Sequence, residues 1–334
     1  MISVVIPLFD EAETLDQLHR ELVELGVLRG YELQIIMVDD GSTDGSWQAV
    51  QRLSEQDPRV LGIRVRRNFG KAAALSAGFD AAAGDVVVTL DADLQDSPVE
   101  IPKLLARLDE GLDVVSGWKV QRRDPWHKRW PSKAFNWLVG WLTGVALHDH
   151  NCGLKAFRRD VLHEIRLYGE LHRFIPVLAA ARGFSVGETP VDHRPRRFGR
   201  SKYGVSRIPK GLLDLLTVQF ITRFGQRPQH WLGGVGLASL AVGMLGMAYL
   251  ALVWIWSRLP GQPPEAAVQL HNRPALLYSA LLAFLGINLV AIGLVAEMIA
   301  ALVSRDRDDF SIAEYTSPPQ ESTPRPASRR QEAP

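Results

Sequence analysis

The stretch Gly84-Asp85-Val86-Val87-Val88-Thr89-Leu90-Asp91-Ala92-Asp93-Leu94-Gln95-Asp96 decides the fold. A short apolar run bounded by a turn signal reads as a buried strand. Two carboxylates then follow one residue apart, where the chain leaves the sheet. With little nearby to neutralise it, such a pair suits a hard divalent cation holding a diphosphate. Outward from this stretch the same pattern repeats. Apolar runs at residues 2–6, 33–38, 60–65, 86–90 and 114–115 alternate with helical patterns near 11–25, 44–54, 71–83 and 98–108. That alternation predicts an α/β fold with a doubly wound, mainly parallel sheet. Ligands in such sheets bind beyond the carboxyl ends of the strands. The loops after Ile6, Val38, Val65 and Leu90 should therefore converge on one crevice, carrying Glu11, Asp39 with Asp40, Arg67 with Lys71, and Asp91 with Asp93.

At 334 residues the chain has room for one good-sized soluble domain and an appendage. A formal net charge of +1 gives no electrostatic reason to expect a nucleic-acid partner. Charge is clustered, however, at Lys119, Arg122, Arg123, Lys128, Arg129 and Lys133, and again from Arg194 to Lys210. The single cysteine, Cys152, excludes an intramolecular disulfide and a cysteine-based zinc site. The first residues enter a strand without a basic leader or a cleavage signal, so the N-terminal domain is expected to stay in the cytoplasm.

Two stretches, 232–256 and about 276–303, are long and apolar enough to span a bilayer. Arg223, Arg227, Arg305 and Arg307 flank their outer ends, while the intervening loop has only Arg258 and Arg273. The positive-inside rule then places both termini in the cytoplasm of a multi-pass inner-membrane protein. Glu297 lies near the cytoplasmic end of the second span. Gly236, Ser239, Gly243 and Gly246 offer small surfaces for packing on the other span or on a second copy. Tryptophans at 126, 130, 137 and 141 beside basic residues, and the segment 208–224, suit helices lying among lipid headgroups. The charged, Pro/Ser/Arg-rich end is expected to be disordered. The organisation predicted is a catalytic domain over 1–204, a juxtamembrane amphipathic segment over 205–231, two transmembrane helices over 232–303 and a tail over 304–334.

Val38-Asp39-Asp40-Gly41-Ser42-Thr43-Asp44 ends a strand, turns at Gly41 and opens a helix with capping residues. Capping does not account for two consecutive carboxylates, which suit the base and ribose of a nucleotide. Arg66-Arg67-Asn68-Phe69-Gly70-Lys71 puts cations and a glycine at a strand-to-helix turn, as a phosphate site would. Neither a Walker A loop nor a G-x-G-x-x-G occurs, so an ATPase or a nicotinamide enzyme lacks its motif.

Taken in order, Pro7-Leu8-Phe9-Asp10-Glu11, Asp39-Asp40-Gly41-Ser42, Arg67-Asn68-Phe69-Gly70-Lys71 and Asp91-Ala92-Asp93-Leu94-Gln95 resemble the family 2 glycosyltransferases of GT-A fold. The likeness is to their dolichol-phosphate-mannose synthase-like, polyprenyl-phosphate branch. Asp149-His150-Asn151-Cys152-Gly153-Leu154 and Arg196-Arg197-Phe198-Gly199-Arg200-Ser201-Lys202-Tyr203 extend it. Two departures are Asp10, where asparagine is usual, and Gly117-Trp118-Lys119, where Gly-Ser-Arg is common. The resemblance implies transfer of one sugar, with inversion, from a nucleotide sugar such as a UDP-hexose or GDP-mannose to undecaprenyl or dolichyl phosphate. It further implies that Asp93 ligates Mg2+ or Mn2+ with Asp91 and Gln95, and that Pro7, Glu11, Asp39, Asp40, Lys71 and Asp91 line the donor site. Arg123, Arg200 and Lys202 would meet the acceptor phosphate or donor diphosphate, and Asp149 would act as a base or orient a basic partner.

His148, His150 and Cys152 read as loop, hydrogen-bonding and packing residues, because carboxylates and a diphosphate already satisfy a hard cation. Other readings are a transferase acting on another membrane lipid, a polysaccharide synthase, and an inactive nucleotide-sugar-binding scaffold. Against a processive synthase, Arg129-Trp130 follows Trp126 where such enzymes carry glutamine. Expected partners are the nucleotide sugar, the polyprenyl phosphate, membrane lipids and a second copy in a homo-oligomer.

Overall fold

The computed structural model describes residues 1–120, 126–165, 167, 169–194, 207–219, 222, 228–260, 269–270 and 273–304. The strands are Ile2–Leu8 (β1), Leu33–Asp39 (β2), Val60–Arg64 (β3), Val86–Thr89 (β4), Val114–Lys119 (β5), Lys155–Arg158 (β6) and Val186–Val191 (β7). They form one sheet in the order β3-β2-β1-β4-β6-β5-β7. All neighbours run parallel except at β6, which is antiparallel to both β4 and β5. The doubly wound, mainly parallel sheet expected from the strand–helix alternation is therefore the observed one.

The central strands are apolar on both sides because helices cover both faces. Val4, Ile6, Ile35, Met37, Val88 and Leu90 pack with helices Leu15–Arg29 (α1), Ser46–Gln56 (α2) and Ile101–Asp109 (α4). Val5, Ile36, Val38 and Val87, the alternate residues, pack with Lys71–Asp80 (α3) on the other face. In α1, Leu15, Leu18, Leu22 and Leu25 recur at helical spacing and are all buried. Each contributes roughly 1.5–3 kcal/mol of burial. A third cluster joins Val114 and Phe157 to Trp126–Thr143 (α5), Arg159–Glu164 (α6), Ile175–Ala181 (α7) and Arg207–Gln219 (α8). The outward faces of α5 and α8 leave Trp137, Trp141, Leu213 and Leu216 more than half exposed.

One boundary differs from expectation in an informative way. Helix α1 begins at Leu15 rather than near residue 11. Asp10 adopts a positive φ of 51°, and the next two amides donate to the neighbouring loop: Glu11 N to Ser46 Oγ at 2.9 Å and Ala12 N to Asp44 Oδ2 at 3.2 Å. Asp10 Oδ1 in turn accepts from Thr43 N at 2.8 Å. Residues that would open a helix are thus committed to joining the loops after β1 and β2. Aspartate tolerates this left-handed backbone as asparagine does, which accounts for the departure at position 10. Strands β6 and β7 were not foreseen.

The two long apolar helices are Pro228–Trp256 (α9) and Pro274–Ser304 (α10). Only 11% and 17% of their most apolar windows are buried, unlike core helices of a soluble domain. They pack against each other through small residues. A Cβ on Gly236 would lie 2.8 Å from the Gly286 carbonyl oxygen, and one on Gly243 would lie 2.5 Å from Ala283 N. Ser239 Oγ donates to the Leu282 carbonyl at 2.9 Å. The small stripe is therefore used in packing on the second helix. Glu297 Oε2 accepts from Gln229 N at 3.1 Å, satisfying one of the orphan amides in the first turn of α9.

Candidate active site

The carboxyl ends of β1, β2 and β4 lie side by side, with Leu8 opposite Asp39 and Val5 opposite Thr89. The two consecutive acids at the end of β2 diverge in role. Asp39 is fully buried, and its Oδ1 accepts from Ser42 N at 2.9 Å. Its Oδ2 accepts no hydrogen bond among the described residues and faces Arg64 Nε at 3.2 Å. Asp40 instead accepts from Phe69 N at 2.8 Å and Gly70 N at 2.9 Å, one amide to each oxygen. It holds the turn that launches α3. Gly41, at φ +73°, allows this approach, since a Cβ there would stand 2.6 Å from the Arg67 carbonyl carbon. Pro7 pairs with Val38 at the floor, and Glu11 sits in the loop above it.

With α3 so placed, Lys71 Nζ forms an ion pair with Asp91 Oδ1 just beyond β4. Arg67 lies apart from that pair and is exposed, its guanidinium 4.7 Å from the Phe69 ring centre. The acidic turn itself is tight: Leu94 is buried at a positive φ of 59°, and Asp93 Oδ1 accepts from Gln95 N at 3.1 Å. Gly153 packs flush on the Asp91 carboxylate, where a Cβ would collide with it. Thr89 Oγ1 ties the same glycine to β4 by donating to its carbonyl at 2.8 Å.

Gly153→Ala should therefore displace Asp91 while sparing the core. Misplacing a reacting group by about an ångström costs on the order of 10²-fold in rate. Turnover measured beside a melting curve should show that loss with an unchanged melting temperature.

Asp149 is 1% exposed, and its Oδ1 accepts from Asn151 N at 3.0 Å, which shapes the turn leading to Gly153. Lys155, 4% exposed, donates to the Cys152 carbonyl. Burial pushes its ammonium below the ordinary lysine value, although Asp149 and Asp91 pull the other way. Burial also pushes the Cys152 thiol up to about 12, so it is no thiolate nucleophile at neutral pH. His150 is fully buried, and its pKa falls to about 4, through burial and then the Lys155 charge. His148 stacks on Trp118 with ring centres 4.0 Å apart and pairs with Glu188.

Lys71 and Asp91 thus pair directly, while Asp39, at the carboxyl end of β2, and Asp93, just beyond that of β4, lie on the same side of the sheet. Arg123, Arg200 and Lys202 lie outside the described residues. Sequence reasoning gave no role to Arg64, which faces Asp39, or to Asp96 and His193 beside the acidic turn. Arg64 is the last residue of β3, so strand-end position was the signal available for it.

Among the described residues no three His, Cys, Asp or Glu side chains form a metal-holding group. The hard oxygens of Asp91 and Asp93 are of the kind that would fit a divalent cation, with a diphosphate and water able to supply its remaining ligands.

Solved structures with this fold include mannosyl-3-phosphoglycerate synthase from Rubrobacter xylanophilus, with a TM-score of 0.54 and 16% identity over 66% of this chain and 74% of that one. Glucosyl-3-phosphoglycerate synthase from Mycobacterium tuberculosis, in complex with Mn2+, UDP and phosphoglyceric acid, gives 0.50 and 18% over 66% and 78%. Two curated proteins are similar over nearly their whole length. Dodecaprenyl-phosphate galacturonate synthase of Rhizobium johnstonii is 36% identical over 310 residues, 91% of this chain and 89% of that protein. Undecaprenyl-phosphate 4-deoxy-4-formamido-L-arabinose transferase of Salmonella typhimurium is 35% identical over 326 residues, 97% and 95%. Residues 3–166, which hold the acidic turn and the crevice around it, match the family described as Glycosyl transferase family 2. With that match, the GT-A sheet and these full-length likenesses, the chain belongs to the family 2 glycosyltransferases, in their polyprenyl-phosphate glycosyltransferase branch.

Proposed function

We propose that the protein transfers one sugar from a nucleotide sugar to a polyprenyl phosphate, inverting the anomeric carbon, at the cytoplasmic face of a membrane. The observation that carries this reading is the docking of the acidic turn between Lys71 and Gly153. A diphosphate bound at that turn would lie against the loop that bears Asp149, which supports the reading. The polyprenyl acceptor is supported by the two relatives, whose names specify dodecaprenyl and undecaprenyl phosphate.

In this reading Asp39, whose Oδ2 accepts no hydrogen bond among the described residues, takes a donor group of the nucleoside, and the Arg64 ion pair to that oxygen holds the carboxylate in place. Pro7 and Glu11 line the same pocket. Asp40 contributes indirectly, by presenting Lys71. Asp93, with Asp91 and Gln95, would hold Mg2+ or Mn2+, which when bound offsets the negative charge of the departing diphosphate. Lys71 neutralises Asp91 and adds positive charge beside the diphosphate. An acceptor phosphate oxygen is already anionic. It attacks the anomeric carbon as the bond to the diphosphate oxygen breaks, and the nucleoside diphosphate leaves with the electron pair. No strong base is required, so Asp149 serves to shape the 149–153 turn. A single displacement inverts, and a retaining route would need a carboxylate nucleophile at the sugar. Arg123, Arg200 and Lys202 supply planar or point-charge contacts to phosphate.

The antiparallel α9–α10 pair returns the chain to the side it left, which supports an anchor with both ends on the catalytic side. The exposed Trp137, Trp141, Leu213 and Leu216 suit a catalytic unit over 1–204 resting on headgroups through α5 and the juxtamembrane segment.

The test is to incubate membranes containing the protein with undecaprenyl phosphate and a panel of labelled UDP- and GDP-sugars, uronate and amino-arabinose donors included. A lipid carrying one sugar, formed only with a divalent cation, is the expected product. A polymer, or label on a different lipid, overturns the reading.

A further inference from the structure

The acidic turn is braced by side chains that the proposed chemistry does not use. Lys119, the last residue of β5, places Nζ 3.0 Å from Asp96 Oδ1. Asp96 is 2% exposed, and the same oxygen stands 3.1 Å from His193 Nδ1. On the far edge of that ring, Nε2 lies 3.2 Å from Gln95 Nε2. Backbone contacts reinforce the arrangement: Asp96 and His193 form an antiparallel bridge, and Arg194 N donates to the Gln95 carbonyl at 2.8 Å. Arg194 also grips Glu21 of α1, at 2.9 Å from Oε2.

The chemistry of the run sets its direction. The Lys119 ammonium, 3.0 Å from Oδ1, pairs with Asp96 as a carboxylate. A carboxylate can only accept, so His193 Nδ1 carries the hydrogen. A neutral ring then offers Nε2 as an acceptor, and the Gln95 amide donates to it. This fixes which way the Gln95 side chain turns and leaves its carbonyl oxygen unused by His193. Partners of this kind orient a ligating side chain without touching the metal.

We propose that His193 is a positioning residue for the cation–donor site, acting through Gln95, with Asp96 and Lys119 holding its ring. The inference rests on the reading that the Asp91–Gln95 turn binds a divalent cation with a nucleotide. It also gives Lys119, one of the departures from the common Gly-Ser-Arg, a place in the machinery.

His193→Asn separates the two bonds of the ring, because an asparagine amide reaches Asp96 from the Nδ1 position and falls short of Gln95. Calorimetric binding of Mn2+ in the presence of UDP, and then GDP, to the full-length protein in detergent is the readout. Loss of an orienting partner typically weakens metal affinity about 10–100-fold, and His193→Asn should do so. Gln95→Ala should weaken it too, and the double variant should bind no worse than Gln95→Ala alone, since the histidine acts through that side chain. His193→Ala provides a second route to the same comparison. Wild-type affinity in His193→Asn, or a further loss on adding it to Gln95→Ala, overturns the inference. A wild-type protein that binds neither Mn2+–nucleotide pair overturns the reading of the whole site, and this inference with it.

Discussion

Asp93→Ala should abolish sugar transfer, by about 10³-fold or more, and leave the protein folded. Losing a group that stabilises developing charge in a water-poor site costs on the order of 10²–10³-fold, and a cation lost with it costs more. The structural penalty is small by comparison. Asp93 makes a local hydrogen bond, Oδ1 accepting from Gln95 N at 3.1 Å, and such a bond contributes roughly 0.5–1.5 kcal/mol. Asp93→Asn keeps an oxygen for that amide while removing the charge, so it should be as inactive as alanine with wild-type melting. EDTA should reproduce the loss in the wild type, and added Mg2+ or Mn2+ should reverse it. Full activity in the presence of chelator would sink the metal assignment.

Asp40→Ala has the largest expected effect on stability. Both carboxylate oxygens accept backbone amides, from Phe69 and Gly70, and Asp40 is only 4% exposed. The two bonds are part-buried, and hydrogen bonds to a charged group contribute roughly 1.5–3 kcal/mol each, so urea denaturation should show a loss of about 2–5 kcal/mol. Transfer should fall as well, because the freed turn no longer presents Lys71 to Asp91. Asp40→Asn can accept at one oxygen only and should lie between alanine and wild type. A variant as stable as wild type would mean that the turn stands without this acid. Asp39 provides the contrast: its Oδ2 pairs with Arg64 without accepting a hydrogen bond among the described residues, so Asp39→Asn should act mainly on donor binding.

Much of the site was legible because strand ends in a parallel sheet bring distant loops together. Five apolar runs located β1 to β5, and the acids and cations that follow them marked the crevice. What escaped notice had physical reasons. Strand β6 has four residues and begins with a charged Lys155, buried beside acids that periodicity does not reveal. Strand β7 contains Gly187 and Pro190, both poor strand residues, which its edge position tolerates. The different work of Asp39 and Asp40 could not be read from two identical letters, since it depends on how closely the Arg67–Gly70 turn approaches Gly41. His193 lies 98 positions from Gln95, and only the pairing of the segment after β7 with the acidic turn makes them neighbours.

The reversed strand β6 bears on how such a chain can diversify. It stands between β4 and β5, with β3, β2, β1 and β4, the proposed nucleotide side, on one hand and β5 and β7 on the other. Because β6 runs backwards, it enters the sheet at the crevice, and the 149–153 turn arrives there directly instead of crossing from the far edge. The two halves then meet at the crevice through Thr89 with Gly153 and Gly153 with Asp91, as well as through the Lys119 and His193 contacts to the acidic turn. Under the proposed function, substitutions beside the Trp118–His148 stack would reshape what is accepted while the leaving-group residues after β1, β2 and β4 stay in place. Modular exchange becomes testable here: chimaeras that swap residues 114–153 should keep their nucleotide preference and trade their acceptor.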